Sequence, residues 1–173
     1  ERILTLLREH GMLAVRELVE RGLDVEWEII GEGSYRIPLQ WAIRDMGLED
    51  QVRLLGALDP AAVFEHLNQA VIFFLPSVSE GISNAALEAM AVGLPVVASA
   101  VGGMNEASTD EENGLLVPAR DWRAMAGALE RLIQDAEYRQ RLGENARRCV
   151  LEKFNSEQQA AGFKALFEEA VRR

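Results

Sequence analysis

Residues 71–99, VIFFLPSVSEGISNAALEAMAVGLPVVAS, decide the fold of this chain. The stretch opens on an apolar run without polar interruption, as expected of a strand that is buried on both faces of a parallel sheet. A polar turn follows, and then an alanine-rich segment predicts a helix over 84–92. A second apolar strand is predicted over 95–98. A strand, a helix and a strand in this order predict one right-handed βαβ unit.

The rest of the chain repeats this alternation. Strands that recur about every 20 residues with helices between them favour a single α/β domain over residues 1–173. We therefore predict a Rossmann-like, doubly wound parallel sheet of about six strands with a helical C-terminal tail. Outside the opening stretch, strands are predicted at 2–5 (RILT), 25–30, 52–55 and 114–117, and helices at 6–21, 35–46, 60–69, 122–135, 137–153 and 156–173.

The composition and charge of the chain limit the kinds of protein that it can be. The chain has 173 residues, of which 49% are hydrophobic, and this fits one globular domain with a sizeable core. Its formal charge of −10 argues against nucleic acid as a partner. No apolar run approaches the ~20 residues that span a bilayer, and the first residues do not resemble a signal peptide. A cytoplasmic protein is the expectation, with association of the full-length protein with a membrane surface left open.

The histidines and the cysteine do not form a chemical motif. The single Cys149 cannot form an internal disulfide and is predicted to be an apolar helix position. His10 and His66 each fall within a predicted helix, where we expect structural or surface residues. The sequence contains no compact cluster of His, Asp and Cys, so no metal site is predicted.

The carboxyl ends of the strands are the expected binding edge, because ligands of open parallel sheets bind there. The four segments that follow strands, 31–34, 56–58, 76–84 and 99–106, all contain glycine, which either allows a ligand to approach the backbone or only makes a tight turn. A helix that begins near Ser83 or Asn84 would present its free N–H groups and positive dipole end at this edge. Phosphate is the natural anion for such a site.

Two glutamates flank this helix start. Asn84 and Glu88 are four residues apart and share a helix face, so both can address one ligand, whereas Glu80 precedes the helix. The plain alternative is that both glutamates are solvated surface residues. A glycosidase pair is disfavoured, because eight residues along one helix would separate the carboxylates by about 12 Å.

The segment SEGISNAALEAMAVGLPVVAS resembles the E-x7-E segment of retaining glycosyltransferases of the GT-B fold, specifically family 4, also described as group 1. IIGEGSYR, VRLLGAL, VGGMNE and NGLLVP resemble further segments of that family, in the same order. The likeness covers nearly the whole chain.

This resemblance implies the C-terminal, donor-binding half of a two-domain enzyme, one half of a GT-B fold. The enzyme would move a sugar from a nucleotide diphosphate sugar to a glycan, lipid or other acceptor, with retention and without a cofactor or a metal. Glu80 would be the catalytic residue beside the donor sugar, and Glu88 would hold the ribose hydroxyls. The remaining donor-binding residues implied by the resemblance are Gly31, Gly33, Gly81, Ile82, Ser83 and Asn84.

The chain departs from the family pattern at its beginning. The family carries a segment with Arg and Lys after its first strand, and this segment is absent after Thr5. No Arg or Lys lies between Arg53 and Arg120. Either a loop is missing after Thr5, which the strand-like RILT favours, or the module is degenerate and serves as a non-catalytic nucleotide-binding scaffold. Because the acceptor domain is also missing, this chain alone is expected to transfer no sugar.

Overall fold

The computed structural model describes residues 2–154, with side chains from His10 onward. The helix predicted over 156–173 lies outside the described residues. Within them the chain alternates helices and strands. Their bounds are α1 Arg2–Glu20, β1 Trp27–Ile30, α2 Arg36–Asp45, β2 Val52–Gly56, α3 Pro60–Gln69, β3 Phe73–Leu75, α4 Asn84–Ala91, β4 Val96–Ser99, α5 Met104–Ala107, β5 Leu115–Val117, α6 Trp122–Gln134 and α7 Ala136–Lys153.

The strands form two parallel sheets, which confirms the Rossmann-like α/β class. One sheet pairs β1 with β2, and the other has the order β3-β4-β5. The sheets meet where the rings of Trp27 on β1 and Phe74 on β3 pack with centroids 5.3 Å apart. The described residues thus hold five strands in two sheets, where about six in one sheet were predicted.

The first predicted strand is wrong, because residues 2–5 belong to the first turns of α1. RILTLLRE contains no Gly or Pro to end a helix, and Ile3, Leu6 and Leu7 recur at helical spacing. Helical hydrogen bonds also satisfy the backbone locally, whereas a four-residue strand needs a neighbour. The loop expected after Thr5 is therefore not preceded by a strand in this structure.

Apart from α1, which begins at Arg2 rather than at residue 6, the other elements follow the prediction to within about two residues at each end. Asp59 caps α3 as expected, since its side chain accepts a hydrogen bond from the Ala62 N–H at 2.9 Å. One short element, α5, was not predicted. It follows the Gly102-Gly103 turn and spans only four residues, too few for a periodic pattern to reveal.

Helices cover both faces of the sheets, as in a doubly wound fold. Val97 of β4 packs with residues of α1 and α6 on one face. Val96 and Ala98 pack with residues of α3, α4 and α7 on the other. A third cluster joins α1 and α2 to β2. All four residues of β4 are buried, so the strand is held from both sides and its carboxyl end is a fixed point of the fold.

Cys149 and His66 occupy structural positions. Cys149 lies on α7 and is 8% exposed within the apolar cluster, as predicted. His66 on α3 places its Nδ1 2.7 Å from Glu28 Oε2 on β1, and this contact links a helix to the first sheet. Within residues 2–154, no helix is both long and apolar enough to cross a membrane.

Candidate functional site

The centre of the candidate site is the start of α4, immediately after the loop that leaves β3. Ser83 is the N-cap of α4, and its Oγ accepts a hydrogen bond from the Ala86 N–H at 3.4 Å. Ala86, Ala89 and Met90 are fully buried and hold the other face of the helix in the core. The helix therefore starts where the sequence predicted, and its first turn is fixed in position by packing.

Glu80 lies in the loop before α4 and is half-buried. Its Oε1 accepts a hydrogen bond from Ser77 Oγ at 2.6 Å. Among the described side chains, no Arg, Lys or His forms an ion pair with Glu80. Ser77 was not singled out from the sequence, although its spacing of three residues from a glutamate is the signal that could have found it.

The turn after β4 crosses directly over this loop. A Cβ added to Gly102 would lie 1.8 Å from the carbonyl oxygen of Glu80, and one added to Gly103 would lie 2.5 Å from the backbone nitrogen of Ile82. The Gly103 N–H also donates to the Glu80 carbonyl oxygen at 3.4 Å. Two glycines thus let two backbones touch, and the contact fixes the main chain from Glu80 to Ile82.

Asn84 and Glu88 lie on the exposed side of α4, opposite its buried residues. Four residues along a helix correspond to a rise of about 6 Å, so the two polar groups can contact neighbouring parts of one ligand. Gly81 and Ile82 are also exposed, Ile82 by 40% despite its apolar side chain. The structure thus brings residues 80–84 together at one strand edge, with Glu88 one turn further along α4.

Gly31 and Gly33 follow β1 in the other sheet. Nothing lies within 4 Å of the position that a Cβ would take on either residue, so both backbones face open space. Gly31 has a φ of +132°, which favours glycine. The site predicted from sequence is therefore spread over loops from both sheets, and only its central part is held together by direct contacts.

Arg36 is a cation that lies close to the loop after β1. It begins α2, and its Nη1 is 2.9 Å from Glu32 Oε1 in an ion pair that packs over Gly56 at the end of β2. Because Glu32 already neutralises it, Arg36 adds little positive potential. The loops after β2, β3 and β4 contain no Arg or Lys, since none occurs between Arg53 and Arg120. Among the described residues, no group of three His, Cys, Asp or Glu side chains could hold a metal ion.

An open cavity of about 310 Å³ lies between α2 and β2, and none of the predicted site residues lines it. We therefore place the candidate site at the strand ends, where the glycine contacts and the start of α4 converge.

The family model described as "Glycosyl transferases group 1" matches residues 9–149 of the chain. The chain belongs to this family. It is 42% identical over 127 residues to the amylovoran biosynthesis glycosyltransferase AmsK of Erwinia amylovora, an alignment that covers 70% of this chain and 31% of that protein. The chain thus spans about a third of the length of this curated relative.

Two solved glycosyltransferase-related structures share the fold. A TarM variant from S. aureus, in complex with Fondaparinux, alpha-GlcNAc-glycerol and UDP, superposes with a TM-score of 0.83 at 28% identity, covering 94% of this chain and 32% of that one. The C-terminal domain of the group 1 family protein LpcC from Francisella tularensis superposes with a TM-score of 0.78 at 26% identity, covering 88% of this chain and 81% of that domain.

Proposed function

We propose that this chain is the donor-binding, C-terminal half of a retaining glycosyltransferase of family 4. The full-length enzyme would transfer a sugar from a nucleotide diphosphate sugar to a glycan, lipid or other acceptor in polysaccharide or glycoconjugate biosynthesis. The observation that carries the proposal is the backbone crossing of Gly102 and Gly103 over Glu80, because it holds a carboxylate at the start of a helix that can receive phosphate.

Each site residue has a role in this proposal. Glu80 lies beside the donor sugar and stabilises positive charge that develops during transfer. The backbone amides of residues 81–83 and the side chain of Asn84 hold the sugar hydroxyls and the phosphates. Glu88 accepts hydrogen bonds from the ribose hydroxyls. Gly31 and Gly33 line the donor cleft. The UDP in the related TarM structure supports a nucleotide donor.

The remainder of a longer protein supplies the acceptor site in this proposal. The lengths of two relatives support this: the chain covers only 31% of AmsK, but 81% of the isolated C-terminal domain of LpcC. Since transfer would take place between two domains, this chain alone is expected to bind donor weakly and to transfer no sugar.

A non-catalytic nucleotide-binding or scaffold module is the second candidate. The specific observation in its favour is the absence of Arg and Lys between Arg53 and Arg120. The start of an exposed helix contributes only about 0.3–1 kcal/mol to binding of an anion, which is little for a diphosphate.

Donor binding by the full-length protein tests the proposal. Calorimetric titration with UDP-glucose and GDP-mannose should find a donor whose affinity falls about 10- to 150-fold in Glu88→Ala, because hydrogen bonds to a charged group contribute about 1.5–3 kcal/mol. Glu65→Ala, an exposed glutamate on α3, is the matched control and should leave affinity unchanged. Equal effects of the two changes would contradict the assigned role of Glu88. Binding of donor without any transfer would favour the scaffold.

A further inference from the structure

We infer that Ser77 is a positioning residue for the Glu80 carboxylate, and that it directs the second carboxylate oxygen, Oε2, to a hydroxyl of the donor sugar. The inference rests on the proposed function, since it assigns a role within the same donor site. It starts from the 2.6 Å contact between Ser77 Oγ and Glu80 Oε1.

The main chain on both sides of this contact is held in place. Pro76, which precedes Ser77, packs against α1 so closely that a Cβ on Gly11 would lie 2.9 Å from its Cγ. Glu80 is held at its carbonyl by Gly102 and Gly103. The side-chain torsions of Glu80 are what remain free, and the hydroxyl of Ser77 restricts them.

The hydroxyl is the partner that the structure gives to this carboxylate. No ion pair involving Glu80 occurs among the described side chains, and the neighbouring loops lack Arg and Lys. An O–H donor to an ionised carboxylate makes a short, charge-assisted hydrogen bond, and 2.6 Å is within that range. One oxygen is therefore occupied inside the loop, while the other forms no hydrogen bond or ion pair with a described residue, and we assign it to the ligand.

A purely structural role makes different predictions. A serine that bonds to a glutamate three residues later also stabilises a turn, as in a capping box. If that were its whole role, removing the hydroxyl would lower the stability of the fold and weaken binding of nucleotide and nucleotide sugar alike. A positioning role instead affects binding of the sugar selectively, because the proposed function places Glu80 beside the sugar and Glu88 beside the ribose.

The experiment compares a nucleoside diphosphate with its sugar conjugate on the full-length protein. Calorimetry measures the affinities of UDP and UDP-glucose, and of GDP and GDP-mannose, for wild type, Ser77→Ala, Ser77→Thr and the control Ser79→Ala. Ser79 is an exposed serine of the same loop. We expect Ser77→Ala to lower the affinity for the sugar conjugate about tenfold and to lower kcat by a similar factor. The affinity for the nucleoside diphosphate should remain that of wild type.

Two further variants test whether the Ser77 hydroxyl itself is responsible for the effect. Ser77→Thr keeps the hydroxyl and should restore sugar binding to within about threefold of wild type, and Ser79→Ala should have no effect. The inference is overturned if Ser77→Ala retains wild-type affinity for the sugar conjugate. It is also overturned if the change lowers the affinities for the nucleotide and for the conjugate by the same factor. A wild-type protein that binds the conjugate and transfers its sugar keeps the proposed function, whether or not Ser77→Ala changes the affinity. A wild type that binds nucleotide but neither conjugate overturns the inference and favours the scaffold, and one that binds neither removes both the function and the inference.

Discussion

At the residue scale, the glycines that follow β4 decide whether the candidate site keeps its shape. Gly102 has a φ of +50°, and a Cβ there would overlap the Glu80 carbonyl oxygen, which belongs to a different loop. The overlap is with backbone, so no flexible side chain can move aside. The conformational strain and the steric clash therefore act together at one position.

Gly102→Ala should destabilise the protein by more than about 2 kcal/mol, measured as the free energy of unfolding in urea. The matched control is Gly127→Ala on α6, where nothing lies within 4 Å of the added Cβ. This change should instead stabilise the protein by about 0.5–1 kcal/mol, because alanine favours a helix interior. A Gly102→Ala protein as stable as wild type would show that the two loops do not touch in solution.

Sequence reasoning singled out Glu80, Ser83, Asn84 and Glu88 as candidates because the motif and the helix start are local features of one stretch. It did not find the contact of Gly102 with Glu80, because residues so distant in sequence leave no periodic signal of their contact. Ser77 was passed over for a different reason: a serine in a polar loop has many possible partners, and only the folded structure selects one.

At the scale of elements, the corner between α6 and α7 combines a cap with a buried aromatic residue. Asp135 accepts a hydrogen bond from the Tyr138 N–H at 2.8 Å and so caps α7. The Tyr138 ring lies under Arg131, whose guanidinium carbon is 4.2 Å from the ring centroid. The Tyr138 hydroxyl is buried and has no hydrogen-bond partner among the described residues.

Burial raises the pKa of Tyr138, while the positive charge of Arg131 opposes the shift. The pKa is thus higher in the folded than in the unfolded state, where it is about 10. The protonated Tyr138 side chain therefore contributes to the free energy of unfolding below pH 10, and this contribution is lost as the pH rises through the pKa of the folded state. Between pH 9 and pH 11, wild type should lose more unfolding free energy than Tyr138→Phe, as measured by urea titrations at each pH. Parallel losses in the two proteins would contradict this account.

The same scale shows why the first strand was mispredicted while the others were located. RILT has a β-like composition, but strand and helix patterns cannot be separated over four residues. The apolar runs at Phe73–Leu75 and Val96–Ser99 are bounded by turns and followed by a helix start, so their context resolves the ambiguity. The split into two sheets was not predictable either, because pairing between strands depends on distant parts of the chain.

At the scale of the whole molecule, the two sheets must keep a fixed position relative to each other if loops from both are to form one binding site. Trp27 is the main candidate for joining them. Its ring packs on Phe74 of the other sheet, and its Cη2 atom lies 3.0 Å from the position that a Cβ on Gly11 of α1 would take. Three elements therefore meet at one half-buried side chain.

Trp27→Ala should lower the free energy of unfolding by about 2–4 kcal/mol, since large aromatic truncations in a core cost about 3–5 kcal/mol and this residue is only partly buried. Trp41→Ala is the matched control: Trp41 is 68% exposed on α2, and its loss should change stability by less than about 0.5 kcal/mol. Far-ultraviolet circular dichroism is the suitable measurement, because tryptophan fluorescence would itself change.

If Trp27 joins the sheets, its truncation should also broaden the urea transition, as β1 and β2 begin to unfold separately from β3, β4 and β5. Equal stability losses in the two variants would mean that other contacts hold the sheets together.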